Sequence, residues 1–276
     1  MENNLRSGGQ VLVDQLINQG VTDAFCVPGE SYLAVLDALY LKRNQVSLYV
    51  ARQDGGAAFM AEAYGKATGK PGICFVTRGP GATNASIGVH TAFQDSTPMI
   101  LFIGQVGGDM VDREAFQEMD YRRMFGQMSK WVAQIDRAER IPEYVARAFQ
   151  IACSGRPGPV VLALPEDMLI DSVDVIDAQK VIFPKNRPTV KSIKEVEKLF
   201  VKSKKPLVIL GGSGWSERAC DLVKIFVENN HLPVGCSFRR QDLFDNRHPN
   251  YVGHIGIGID PKLAKMVKES DLLLVI

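Results

Sequence analysis

Short apolar runs rich in β-branched residues alternate along this chain with longer stretches of helical periodicity, and that alternation leaves few folds open. A strand buried on both faces reads as an unbroken apolar run, and the next parallel strand is reached only through a long crossover, usually a helix. Residues 24–27, 47–50, 72–77, 99–104 and 159–164 fit such strands, and residues 7–19, 32–41, 56–68, 83–93 and 141–153 fit helices between them. The expected fold is therefore α/β, with a doubly wound parallel sheet of five βα units filling residues 1–170.

Residues 171–189 have no strong period, carry Pro184, Pro188 and many charges, and read as a linker. The pattern restarts at residue 190 with a helix to about 203, a strand at 206–210, the turn Gly211-Gly-Ser-Gly-Trp215, a helix over 216–230 and a strand near 232–236. This is the beginning of a second, incomplete Rossmann-like α/β domain spanning 190–276. Its last residues, Asp271-Leu-Leu-Leu-Val-Ile276, form a buried-strand pattern with no crossover after it, as expected of a fragment of a longer polypeptide.

Composition narrows the function classes. With 32 basic and 31 acidic residues the formal charge is +1, which gives no field to hold a polyanion, so nucleic acid is not an expected partner. Five scattered cysteines, Cys26, Cys74, Cys153, Cys220 and Cys236, include no CxxC and suit reduced thiols in a cytoplasmic protein. The N-terminus is polar, and no run of about 18 apolar residues occurs, so neither a signal peptide nor a membrane span is expected.

Two segments carry chemistry. In the first, residues 50–69, a strand ends, the acid Asp54 follows, Gly55 and Gly56 permit close backbone approach, and a helix runs to a glycine stop at Gly69. Asp54 there is either the N-cap of the helix or an acid at the carboxyl edge of a parallel sheet, where α/β proteins place ligands. In the second, Thr77-Arg-Gly-Pro-Gly-Ala-Thr-Asn-Ala-Ser-Ile-Gly88, a glycine-rich turn joins a strand to a helix that Thr83 or Asn84 can cap. It is neither a Walker loop nor GxGxxG, and by itself it fits a tight connection as well as a ligand cradle.

Taken together, the order and wording of the segments resemble the pyrimidine-binding domain of thiamine diphosphate enzymes of the acetolactate synthase and pyruvate oxidase type. The resemblance runs through Val27-Pro28-Gly29, the Arg-x-acid-x-Gly-Ala run at Asp54, Gly79-Pro-Gly-Ala-Thr-Asn84, residues 95–106, Ala115-Phe-Gln-Glu-Met-Asp120, Lys130-Trp131, residues 154–161 and Pro165-Glu-Asp167. It covers residues 1–170 and continues more loosely into that family's central domain from about 190.

The resemblance implies a C–C bond lyase or transferase acting on a 2-oxo acid, with the acid at Asp54 hydrogen-bonded to the cofactor's aminopyrimidine. It implies that Pro28, Gly29, Thr77, Gly81 and Asn84 bind the cofactor, and that Phe116, Gln117 and Lys130 lie on the substrate side. The diphosphate would be held through Mg2+ by a third domain; this chain carries no metal ligands of its own by that reading. FAD is possible in the central domain, and a homodimer is the minimum working unit, since the cofactor lies between subunits. The chain departs from the family at Gln53-Asp54, where histidine and glutamate are usual, and the shorter acid draws the carboxylate back by about 1.5 Å. The histidine pair of simple decarboxylases is missing; His90 stands alone after the glycine-rich turn. A non-catalytic cofactor-binding or assembly subunit is the alternative reading.

Overall fold

The computed structural model describes residues 5–183 and 187–276. The chain divides into two compact units at 184/185. The first contains, in order, β1 (Arg6–Ser7), α1 (Gly8–Gln19), β2 (Asp23–Cys26), α2 (Leu33–Leu41), β3 (Ser47–Val50), α3 (Asp54–Thr68) and β4 (Gly72–Val76). It continues with α4 (Gly79–Asp95), β5 (Met99–Gln105), α5 (Tyr121–Phe125), β6 (Trp131–Gln134), α6 (Ile141–Cys153), β7 (Pro159–Pro165), α7 (Glu166–Ile170) and β8 (Ser172–Val173).

Six strands make one parallel sheet in the order β3-β2-β4-β5-β7-β6, and β1 pairs antiparallel with β8. The period-2 alternation of the strands divides the core in two. Ile73, Phe75, Ile100, Phe102, Val160 and Leu162 face α1, α2 and α6, whereas Cys74, Val76, Leu101, Ile103, Val161 and Ala163 face α3, α4 and α5. Each of the five expected strands lies within a residue of its predicted bounds. The sheet nevertheless has a sixth, β6, which corrects the five-unit count. Four residues long and half-exposed at the sheet edge, it has no apolar run to betray it.

Helices α3 and α4 begin earlier than their apolar periodicity suggests, and both differences come from their caps. Gln53 precedes α3 in an extended conformation and its side chain accepts from the Gly56 amide at 2.9 Å, so Asp54 is the first helical residue and not the cap. In α4 the turn Gly79-Pro80-Gly81 is itself helical, with Pro80 suiting the first turn because its missing N–H has no helical partner there. Thr83 and Asn84 therefore lie inside α4 and cap nothing; the Thr83 hydroxyl donates to the Gly79 carbonyl at 2.8 Å.

Residues 171–183, whose composition reads as linker, lie along α1 of the first unit. The buried Gln15 donates to the Ala178 carbonyl and accepts from its amide, at 3.1 and 3.0 Å, and Gln19 treats Gln179 and Val181 the same way. The second unit contains α8 (Val190–Lys202), β9 (Pro206–Leu210), α9 (Glu217–Asn229), β10 (Val234–Ser237), β11 (Tyr251–Ile255), α10 (Pro261–Glu269) and β12 (Leu272–Val275). Its parallel sheet has the order β11-β10-β9-β12 around a core that includes Val208, Leu210, Val227, Val234 and Cys236. Strand β11 escapes the sequence pattern because its pairing with β10 is irregular and Gly253 interrupts it at φ +122°. Among the described residues no helix is long and apolar enough to cross a membrane.

Candidate active site

Strands β2, β3 and β4 are parallel neighbours, so the residues following them gather at one edge of the sheet: Val27-Pro28-Gly29, Asp54 and Thr77. Asp54 is 8% exposed. Its Oδ2 accepts from Asn84 Nδ2 at 3.3 Å, while its Oδ1 is buried without any partner. A Cβ on Gly81 would stand 3.1 Å from that free oxygen, so glycine is what leaves it room. An unpaired carboxylate oxygen out of water is costly, and a group that persists so is a candidate for meeting a donor from a ligand.

The turn after β2 is fitted to the turn after β4. A Cβ on Gly29 would fall 2.5 Å from the Thr77 Cβ, which makes a close approach possible only for glycine. Ser31, fully buried, shares a hydrogen bond of 2.9 Å with the Thr77 hydroxyl. The Tyr32 hydroxyl donates to the Val27 carbonyl. Burial foremost, then the neighbouring Cys26, Cys74 and Asp54, pushes that phenol far above its ordinary value, so it stays a neutral donor. Pro28 is exposed at the rim.

Arg78 is a component that the sequence reading misses. Buried to 8% exposure between Thr77 and Gly79, it pairs through Nη2 with Glu166 at 2.7 Å and through Nη1 with Glu30 at 3.3 Å. Its Nε has no partner. An arginine inside a strand-to-helix turn is a signal, but its partners lie 48 and 88 residues away in sequence.

Of the expected substrate-side residues, two come near the glycine-rich turn. The Gln117 carbonyl accepts from the Gly79 amide at 3.0 Å. Gln117 and Asn84 line one hollow of about 380 Å³ together with Gly79, Pro80, Thr83, Glu118 and Met119. Asp54 is not in that lining; it touches the hollow's wall through Asn84. Phe116, 72% exposed, projects from the same loop. Lys130 is placed apart from them. It precedes β6 at the opposite edge of the sheet, where its Nζ caps α6 by donating to the Ile151 and Ser154 carbonyls. Burial lowers its proton affinity, and the same packing raises the Cys153 thiol to about 11. Lysine at a strand's amino end is drawn to the carbonyls of the helix that finishes there, which local sequence does not reveal.

In the second unit the Gly211–Trp215 turn closes on itself. Trp215 Nε1 donates to the Gly211 carbonyl at 2.7 Å and Arg240 to that of Gly212. All five cysteines are unpaired.

Comparison with known proteins bears on the edge that holds Asp54. Residues 6–124 match the family described as thiamine pyrophosphate enzyme, N-terminal TPP binding domain, and residues 193–276 match the central domain of the same enzymes. The chain belongs to the thiamine pyrophosphate enzyme family. It is 34% identical to an acetolactate synthase large subunit of Buchnera aphidicola over 280 residues, covering 98% of this chain and 48% of the relative. The isozyme 2 large subunit of acetolactate synthase from Escherichia coli is 32% identical, with 98% and 49% covered. A probable acetolactate synthase large subunit of Methanocaldococcus jannaschii is 35% identical, with 98% and 46% covered. The chain thus spans about half the length of these curated relatives.

The thiamine-family chain has residues that suit an aminopyrimidine. The free, buried Asp54 Oδ1 offers an acceptor, Gly81 withholds the side chain that would crowd it, and Gly29 leaves room for Thr77. Among the described residues no group of three or more His, Cys, Asp or Glu stands together as a metal site.

Proposed function

We propose that this chain forms the pyrimidine side of the active site of a thiamine diphosphate-dependent lyase or transferase that acts on a 2-oxo acid, as an acetolactate synthase does. The observation that carries the reading is the Asp54 carboxylate, buried at the carboxyl edge of the sheet with one oxygen free. Thiamine diphosphate, when bound, supplies the electron sink for breaking and making bonds beside a carbonyl carbon. Asp54 Oδ1 shares a proton with a ring nitrogen there, and burial strengthens that hydrogen bond by removing competing water. Gly29, Thr77 and Gly81 shape the adjoining wall, while Phe116 and Gln117 face the reacting side. In this reading Mg2+ accompanies the diphosphate and is held outside these two units.

The reading includes a second copy of the chain and a cytoplasmic location. Support for the former is the apolar surface beside the site: Val50 is 62% exposed, Ile87 56% and Met60 46%. Isologous pairing of that surface would bring a partner against α3 and α4, the helices that carry Asp54 and Asn84.

The test is turnover by the intact protein of pyruvate, glyoxylate, oxalyl-CoA and sulfoacetaldehyde with thiamine diphosphate and Mg2+. The Asp54→Ala variant is expected to keep its fold and melting temperature and to lose at least about a hundredfold in kcat, the scale of a positioned proton-transfer group. Turnover of one of these compounds by the wild type and equal turnover by the variant would reduce Asp54 to a packing residue. Cofactor binding without any turnover would favour the non-catalytic subunit.

A further inference from the structure

At the amino ends of β2 and β4, opposite the edge that holds Asp54, the first unit encloses a cavity of about 280 Å³. Strands of four and five residues separate the two places by about 15 Å. Tyr64, Phe149, Phe183, Val21 and Val181, drawn from the ends of α3 and α6, the start of β2 and the stretch that follows β8, give the cavity an apolar lining. A Cβ on Gly69, which also lines it, would meet no atom within 4 Å.

Charge in the lining is uneven. Lys70 and Lys180 stand there against a single acid, Asp23, one oxygen of which already accepts from the Thr22 hydroxyl at 2.6 Å. Among the described residues neither ammonium has an ion pair or a hydrogen bond. That of Lys180 lies over Gly20, where a Cβ would stand 2.9 Å from Nζ. Lysines near helix carboxyl ends commonly cap free carbonyls. Here the Leu16 and Ile17 carbonyls already bond the Gly20 amide, that of Gly65 the Gly69 amide and that of Tyr64 the Thr68 hydroxyl. The two ammonium groups are therefore donors left over beside an apolar cavity.

We propose that this cavity is a binding site for a small aromatic carboxylate, its ring among Tyr64, Phe149 and Phe183 and its carboxylate on Lys70 and Lys180. The volume lies at the small end of ligand sites, which span roughly 300–1,000 Å³, and suits one ring while excluding a nucleotide. Three aromatic side chains favour an aromatic guest, and unpaired ammonium groups favour an anion over a neutral molecule of the same shape. Lys180 and Val181 belong to a stretch tied to α1 by Gln15 and Gln19, which accept from the Ala178 and Val181 amides at 3.0 Å each. A ligand in the cavity braces that stretch.

Calorimetric titration of the intact protein tests this with phenylacetate, which lacks the 2-oxo group of the substrates proposed above, beside its neutral isostere phenylacetamide and the cation 2-phenylethylamine. Phenylacetate is expected to bind with a Kd of about 1 mM or below, phenylacetamide at least about tenfold more weakly and 2-phenylethylamine not at all. The double variant K70M/K180M should bring phenylacetate down to the level of the amide, and Val181→Trp, which fills the cavity, should abolish binding. Bound phenylacetate should slow hydrogen exchange of the Val181 amide several-fold. Asp54→Ala is expected to bind phenylacetate as the wild type does, so this proposal and the functional reading fail separately. No saturable binding of phenylacetate, equal affinity for acid and amide, or full affinity in K70M/K180M would overturn the proposal. Loss of binding in Asp54→Ala would overturn it too, by moving the ligand to the other edge. Both lysines are exposed, so K70M/K180M decides the matter should the tryptophan variant fail to fold.

Discussion

Arg78 illustrates how a single side chain can be well placed and still add little to stability. Its two ion pairs reach carboxylates that are 64% and 45% exposed, so solvent screens the attraction, while its buried Nε makes no hydrogen bond. Substituting an apolar residue of similar length removes the orphaned donor along with the pairs. Arg78→Met is expected to leave the unfolding free energy within about 1 kcal/mol of the wild type, read from urea denaturation. A loss above about 3 kcal/mol would mean that the pairs anchor the turn far more strongly than their exposure suggests. At this scale the sequence was informative where chemistry is local. The segment after β3 left two uses open for Asp54, helix cap or acid at the sheet edge; that Gln53 and not Asp54 caps α3 depends on side-chain rotamers that no pattern encodes.

Among the elements, the loop between β5 and α5 is held in an unfavourable shape by one carboxylate. Asp112, Glu114 and Gln117 all have positive φ, between 54° and 65°, without being glycine. Glu118 compensates by accepting from the Asp112 amide at 2.8 Å and the Ala115 amide at 3.2 Å. Glu118→Ala is expected to release the loop: limited proteolysis within residues 108–120 should speed up several-fold while the melting temperature shifts by no more than a few degrees. Equal cleavage rates would show that the Gln117–Gly79 contact suffices to hold it. Elements with long apolar runs were readable to within a residue, as β4, β5 and β7 show. Short edge strands such as β6 were not, because half-exposed positions carry mixed residues. The place of Lys130 is hidden for the same reason: which edge of the sheet a residue occupies follows from the strand it adjoins, and β6 has no apolar run to announce it.

At the scale of the molecule, two units carry separate sheets and separate cores, so each answers to its own electrostatics. In the second unit Asp271 ties the start of β9 to β12 by accepting from the Ser203 hydroxyl and from the Lys204 and Lys205 amides. The Ser203 hydroxyl first, then those amides, lower its pKa from 3.8 to about 2. The folded value lies below the unfolded one, so the stabilisation is complete above pH 3.8 and is lost as pH falls through about 2. Wild type and Asp271→Asn are therefore expected to differ in the second unit's stability at pH 7 and to converge near pH 2, followed by hydrogen exchange in β9 and β12. A difference that persists undiminished at the acid end would assign the effect to shape instead of charge.

The sequence by itself determined the alternation of strands and helices and the parallel sheet, because burial on both faces and the crossover requirement act through residues close in the chain. Tertiary structure alone decided that Asn84 meets Asp54, that Arg78 reaches Glu166 and that Lys130 turns to the far edge. Those contacts depend on how closely two helices cross and on which strands end side by side, and such distances are set by packing across the sheet, not by neighbours in sequence.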